Sequence, residues 1–351
     1  MPPWPAGPFV WPQPARPRRR LVTWIGWIGF LFCGLLLLSQ RSARRDYFDV
    51  TQGIRERFHS GVEAGRDKVA VISVRGIIME GDGFVKRQID RVRQDERVKA
   101  VVVRIDSPGG TVTGSDYIYH HLKKLREERD IPLVVSMGSM AASGGYYIAM
   151  AVGDQEKSIF AEHTTTTGSI GVIVPHYDLS GLLARYDVLD DSVSSHPRKQ
   201  ILSMTRSMSE EDRTIVQAYV NESFQRFKDI VKAGRPQLRE SNAADALWDA
   251  AHGRDLATGE IFTAAKAREY GLIDEIGFIE DAIARALELA GLDAAHVRVV
   301  HYQRPMSLGN LVGLAEASEA DFPLEALWEL SAPRAYYLAT TWPPLVTSRR
   351  D

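Results

Sequence analysis

The chain has 351 residues, of which 44% are hydrophobic and 25% charged, with a formal net charge of −2. That balance suits a packed globular body and lacks the basic surplus that a nucleic-acid footprint needs. With one cysteine, Cys33, an internal disulfide and a cysteine-rich metal site are both excluded.

Residues 1–20 are rich in Pro, Trp and Arg and are assigned no structure; they end on Arg16, Arg18, Arg19 and Arg20. The uncharged run LVTWIGWIGFLFCGLLLL follows at 21–38. Eighteen residues at ~1.5 Å per residue reach about 27 Å, enough to cross a bilayer core of ~30 Å, with Trp24 and Trp27 placed as interfacial anchors. A cleaved signal peptide is the alternative. No small-x-small site follows Leu38, so the expectation is an uncleaved single-pass anchor, N-terminus inside and body exported.

Residues 39–68 are polar and charged and are expected to form a linker or a short helix. VAVISVRGII (69–78) is β-branched and bounded by turn residues, which predicts a strand. FVKRQIDRVRQDERV (84–98) has apolar residues at helical spacing. KAVVVRID (99–106) predicts a buried strand, DYIYHHLKKLREERD (116–130) a helix, PLVVSMGS (132–139) a strand and SGGYYIAMAV (143–152) a helix. Strands that alternate with helices, and are apolar almost throughout, predict an α/β fold on a largely parallel sheet. A long amphipathic helix is expected over 207–234, with Ser209 and Asp212 as a capping box. Two helices within 262–293 and a strand at 296–302 complete the body, leaving 303–351 as a tail of unassigned role.

Three glycine-rich turns stand out: DSPGGTV (106–112), MAASGGYY (140–147) and TGSIGV (167–172). Each flanks an apolar strand, which gathers them at one end of a sheet, where α/β proteins build their sites. Ser143 stands at a strand-to-helix turn among small residues. There it suits either a nucleophile beside free backbone N–H groups or a plain helix cap. None of the nine histidines sits in a motif that pairs it with an acid near Ser143, and His120 and His121 are expected to be solvated. A lysine can serve as base instead, once its pKa is lowered toward neutrality.

The stretch from about 69 to about 290 resembles the short form of the signal peptide peptidase family SppA. The resemblance rests on six pieces in the family's order: VAVISVRGII, RIDSPGGTV, SMGSMAASGGYYIAM, TGSIGV, RKQILSMTRSMSEED and TAAKAREYGLIDEIG. It implies the ClpP/crotonase-like fold of stacked ββα units, and a serine endopeptidase in which Ser143 is the nucleophile. It further implies Lys199 as general base, Ser169 as the residue that orients that lysine, and Gly110 and Gly144 as oxyanion donors. No metal or organic cofactor is needed. The implied partners are apolar peptides such as remnant signal peptides, the lipid bilayer of the cell inner membrane and further copies of the chain. In such a homo-oligomer Lys199 of one subunit would reach Ser143 of the next. Rival readings are a crotonase-type acyl-CoA enzyme, a ClpP-like peptidase with a histidine base, and a membrane scaffold without activity.

Overall fold

The computed structural model describes Trp24 and residues 27–34, 54–238, 247–249, 251–304 and 335–338. The chain divides into two compact units, residues 1–52 and 53–351. In the first unit, residues 27–34 are helical and carry exposed Trp27, Ile28, Phe30, Leu31 and Phe32. The rest of the expected span over 21–38 lies outside the described residues, apart from Trp24, as do residues 1–20. Among the described residues no helix is long and apolar enough to cross a membrane.

The second unit is built on one mixed sheet. In chain order its first elements are β1 (Arg55–Gly61), β2 (Asp67–Arg75), α1 (Phe84–Gln94), β3 (Val98–Ser107), β4 (Gly109–Thr111) and α2 (Val112–Arg129). Next come β5 (Leu133–Ala142), α3 (Gly144–Ala149), β6 (Ile159–Ala161), β7 (Thr166–Gly168), α4 (Ser180–Arg185) and α5 (Glu210–Gly234). The remainder is β8 (Trp248–Asp249), β9 (Arg254–Asp255), β10 (Ile261–Thr263), α6 (Ala264–Glu269), β11 (Glu275–Ile276), α7 (Ile279–Leu289), β12 (Val297–Gln303) and β13 (Tyr336–Leu338).

The sheet runs β1-β12-β2-β3-β5-β6-β11, with β7 beside the C-terminal end of β5 and β10 beside β7. From β12 to β11 every neighbouring pair is parallel; β1 and β10 pair antiparallel. The central strands are apolar on both faces because both are covered. Ala70, Ile72, Val101, Val103 and Val135 face the larger core under α1, α2 and α3. Val69, Val71, Ala100, Val102 and Val134 pack with Ala282, Ile283 and Ala286 of α7. At ~1.5–3 kcal/mol for each fully buried aliphatic side chain, this two-sided burial holds the sheet.

Two expectations are corrected here. Residues 55–61, expected in a linker or short helix, form edge strand β1 on β12, and Lys68 is a buried residue of β2 whose amine meets Glu56 and Asp95 at 2.6 and 2.8 Å. Ser209 does cap α5, its hydroxyl accepting from the Asp212 amide at 3.1 Å. The Asp212 carboxylate, however, turns to Arg206 at 3.2 Å instead of closing the capping box.

Candidate active site

The site forms where β3, β5 and β7 end together. β5 pairs β7 in parallel, with Ala142 opposite Gly168. The next residue on each strand is a serine, Ser143 and Ser169, and each takes a φ of 53°. Parallel neighbours lie about 4.8 Å apart, so register alone sets the two serines side by side. The Ser143 amide donates to the Gly168 carbonyl at 2.8 Å, and the Ser169 amide to that of Glu260 at 2.6 Å.

Ser143 has φ 53° and ψ −114°, a combination nearly confined to glycine, and it opens α3 without capping it by its side chain. The simple helix-cap role is therefore not the one observed. Such a strained turn lifts a hydroxyl off the sheet end, as nucleophile elbows do. The strain is held by burial, since every residue from 141 to 152 is buried.

The DSPGG turn closes over this serine. Gly109 has φ 100°, and a Cβ built on it would lie 2.1 Å from the Tyr337 carbonyl oxygen and 2.7 Å from the Gly144 amide nitrogen. A Cβ on Gly144 would meet the Ser115 hydroxyl at 2.3 Å. Gly109 requires glycine because backbone crosses within contact distance, and Gly144 because the buried Ser115 hydroxyl leaves no room; together they bring the Gly144 amide to the same small space as the Tyr337 carbonyl. Gly110 pairs with Tyr337 in the antiparallel ladder of β4 and β13. The Val112 amide donates to Ala335 at 3.2 Å, so the ladder's alternation turns the Gly110 amide to Tyr337 as well. Four of the five residues expected at the site, Ser143, Ser169, Gly110 and Gly144, thus gather where β4, β5 and β7 end.

Lys199 does not join them. It lies in a 3-10 turn over Pro197–Gln200 and is exposed. Its backbone amide bonds to the His196 carbonyl, but among the described residues its amine makes no hydrogen bond or ion pair. It lines a cavity of ≈ 660 Å³ with Asp190, Ser194, Ile201 and Leu202, and Ser143 is not on that cavity's wall. Arg198, its neighbour, pairs with Glu211. His121 is half-buried on α2, where burial pulls its ring down to about 4, so it is not freely solvated. Among the described residues no group of three or more His, Cys, Asp or Glu side chains could hold a metal.

Sequence reasoning missed three participants. Gly168 supplies the carbonyl that fixes the Ser143 amide. Ser115, buried on α2, donates to the Thr111 carbonyl at 2.9 Å and packs under Gly144. Tyr337 comes from the unassigned tail. The parallel strand ends before Ser143 and Ser169 carried the signal for Gly168; nothing local carried it for the other two.

A strained, uncapped serine beside two glycine amides and a second hydroxyl can perform acyl transfer, which places the chain among serine-type hydrolases. Comparison with known proteins narrows this. Peptidase family S49 matches residues 125–293. A relative from Synechocystis sp., provisionally named a protease, is 38% identical over 243 residues, 69% of this chain and 82% of that one. A relative from Enterococcus faecium, provisionally named signal peptide peptidase SppA, is 33% identical over 72% of this chain and 76% of its own length. Protease 4 of Salmonella typhi is 35% identical over 65% of this chain but only 36% of its own. The chain belongs to the SppA group of peptidase family S49, and is a serine-type peptidase.

Proposed function

We propose that the protein is a membrane-anchored endopeptidase that cuts apolar peptides, remnant signal peptides among them, through an ester on Ser143. The Ser143 hydroxyl attacks the scissile carbonyl, and the Lys199 amine of an adjoining copy takes the proton. Ser169, one strand over, orients that amine. The Gly110 and Gly144 amides hold the oxyanion that develops. The observation that carries the reading is the backbone of Ser143, strained and buried yet free of a capping bond, in a chain of this family.

Three features support the wider reading. A cavity of ≈ 790 Å³ adjoins Thr111 and Ala335 and is walled by Met79, Val174, Ile215 and Tyr219, which suits apolar side chains. The segment around Lys199 exposes Leu182, Tyr186, Val188, Leu189 and Val193, an unusual concentration for a free surface and a fit for a subunit contact. The exposed apolar helical stretch over 27–34 fits an anchor in the cell inner membrane, with the catalytic body on the exported side.

The test is a serine-directed fluorophosphonate. It should label the wild-type chain at Ser143, located by peptide mapping, and leave Ser143→Ala unlabelled. The same variant should lose peptide hydrolysis by about 10³-fold or more with its thermal midpoint unchanged. Hydrolysis at the wild-type rate in Ser143→Ala would refute the assignment.

A further inference from the structure

Ser169 takes a left-handed backbone conformation, with φ 53°. A non-glycine residue stays in that region only where its surroundings fix it. Two backbone bonds do so here. The Ser169 amide donates to the Glu260 carbonyl at 2.6 Å, and the Gly259 amide donates to the Ile170 carbonyl at 3.1 Å. The turn ahead of β10 thus grips the serine and the residue after it. Strand β10 continues the contact in register, with Ile261 opposite Gly168. The fit is tight, since a Cβ built on Gly168 would lie 2.5 Å from the Phe262 ring.

Glu260 is itself held. Its carboxylate accepts from the Thr258 hydroxyl at 2.8 Å and pairs with the Arg254 guanidinium. Arg254 comes from β9, and its guanidinium lies over the rings of Phe262 and Tyr270, 5.6 and 5.3 Å from their centroids. Phe262 belongs to β10 and Tyr270 follows α6, so one side chain ties β9, β10 and the end of α6 to the residue that holds Ser169. The Glu260 side chain is 53% exposed, and an ion pair so open to water adds little to stability. Its consequence is positional. A group misplaced by about 1 Å at a reacting centre can cost up to ~10² in rate.

We propose that Arg254 is a positioning residue for the reaction: through Glu260 it fixes the backbone of Ser169, and with it the hydroxyl that meets the base. This rests on the reading of Ser169 as the residue that orients the Lys199 amine. Arg254 touches neither substrate nor reacting atoms. Its influence runs along one path, from guanidinium to carboxylate, from the Glu260 carbonyl to the Ser169 amide, and from there to the serine hydroxyl.

The experiment measures kcat and KM on an apolar peptide, with thermal midpoints, for Ser169→Ala, Arg254→Met, Glu260→Ala and the double variant Ser169→Ala with Arg254→Met. Arg254→Met and Glu260→Ala break the clamp from its two ends. Each should lower kcat about tenfold, with KM within about twofold and the midpoint within about 2 °C. In the Ser169→Ala background, Arg254→Met should lower kcat by no more than about twofold further, because the group it positions is already gone. A purely structural role would instead lower the midpoint and carry its full loss into that background. If Ser169→Ala is impaired while Arg254→Met and Glu260→Ala keep wild-type kcat, the inference falls and the reading of Ser169 stands. A full tenfold loss on top of Ser169→Ala also overturns it. If Ser169→Ala itself keeps wild-type kcat, that reading falls and the inference with it. Should Arg254→Met unfold, Glu260→Ala decides alone, since it leaves the arginine between its two rings.

Discussion

Residues 141–152 and residues 171–211 are two parts of one candidate site, and they are built in opposite ways. In the first, every residue is buried; in the second, none is. The first carries Ser143 and is fixed by β5, β7 and the core beneath α3. The second carries Lys199 on a short 3-10 turn, with Leu189 87% and Val193 99% exposed. Large apolar side chains in that state hold no position by themselves. On the proposed reading, the residues taken as nucleophile and oxyanion donors are fixed by this chain's own core, and the exposed segment that carries the proposed base would be positioned by a neighbouring copy.

The largest effect expected on the exposed half is at its base. Lys199→Arg should lose peptide hydrolysis by about 10³-fold or more, because a guanidinium keeps its proton and cannot accept another. Its fold should be unchanged in circular dichroism, since the side chain is exposed and its amine makes no hydrogen bond or ion pair among the described residues. Substantial activity in this variant would assign the base elsewhere.

The buried half should respond through stability. Lys68→Met strands the Glu56 and Asp95 carboxylates and should cost about 3–5 kcal/mol in denaturant unfolding. Burial opposes ionisation of Asp95, but hydrogen bonds from Arg97 and Lys68 overcome it and hold the carboxyl well below its usual range. A lowered folded pKa contributes stability that is fully present above the unfolded value, near 4, and is lost as pH falls through the folded one. The wild type should therefore weaken progressively below about pH 4, and Lys68→Met should show a shallower acid slope. Equal slopes would remove Lys68 from that role.

The smallest effect tests the surface. Leu189→Asp with Val193→Asp should leave the thermal midpoint of the isolated subunit within about 1 °C, because both side chains are exposed. In sedimentation the pair should shift the protein toward smaller species and lower its activity about tenfold. An unchanged assembly would show that this face is not the contact.

The same contrast decides what could be read in the sequence. β2, β3 and β5 were legible because both faces are buried and their residues are continuously apolar. Ser143, Ser169, Gly110 and Gly144 were legible as members of ordered motifs, and register brings them together. β1 was not, because RERFHSG is an edge strand whose residues are all exposed or half-buried, so no apolar pattern marks it. α2 begins at Val112, four residues before the expected start, because Thr111 caps it through the Gly114 amide at 3.0 Å from inside the glycine turn. β13 was invisible because three residues pair across more than two hundred positions of chain. The proposed pairing of Lys199 with Ser143 of another copy would likewise not be a local property.

A site divided between copies can be tested by complementation. The direct measurement is to mix Ser143→Ala with Lys199→Ala, each inactive alone, under conditions where tagged subunits are shown to exchange. Interfaces that join an intact serine to an intact lysine should return a substantial fraction of wild-type peptide hydrolysis. No recovery after confirmed exchange would contradict the account.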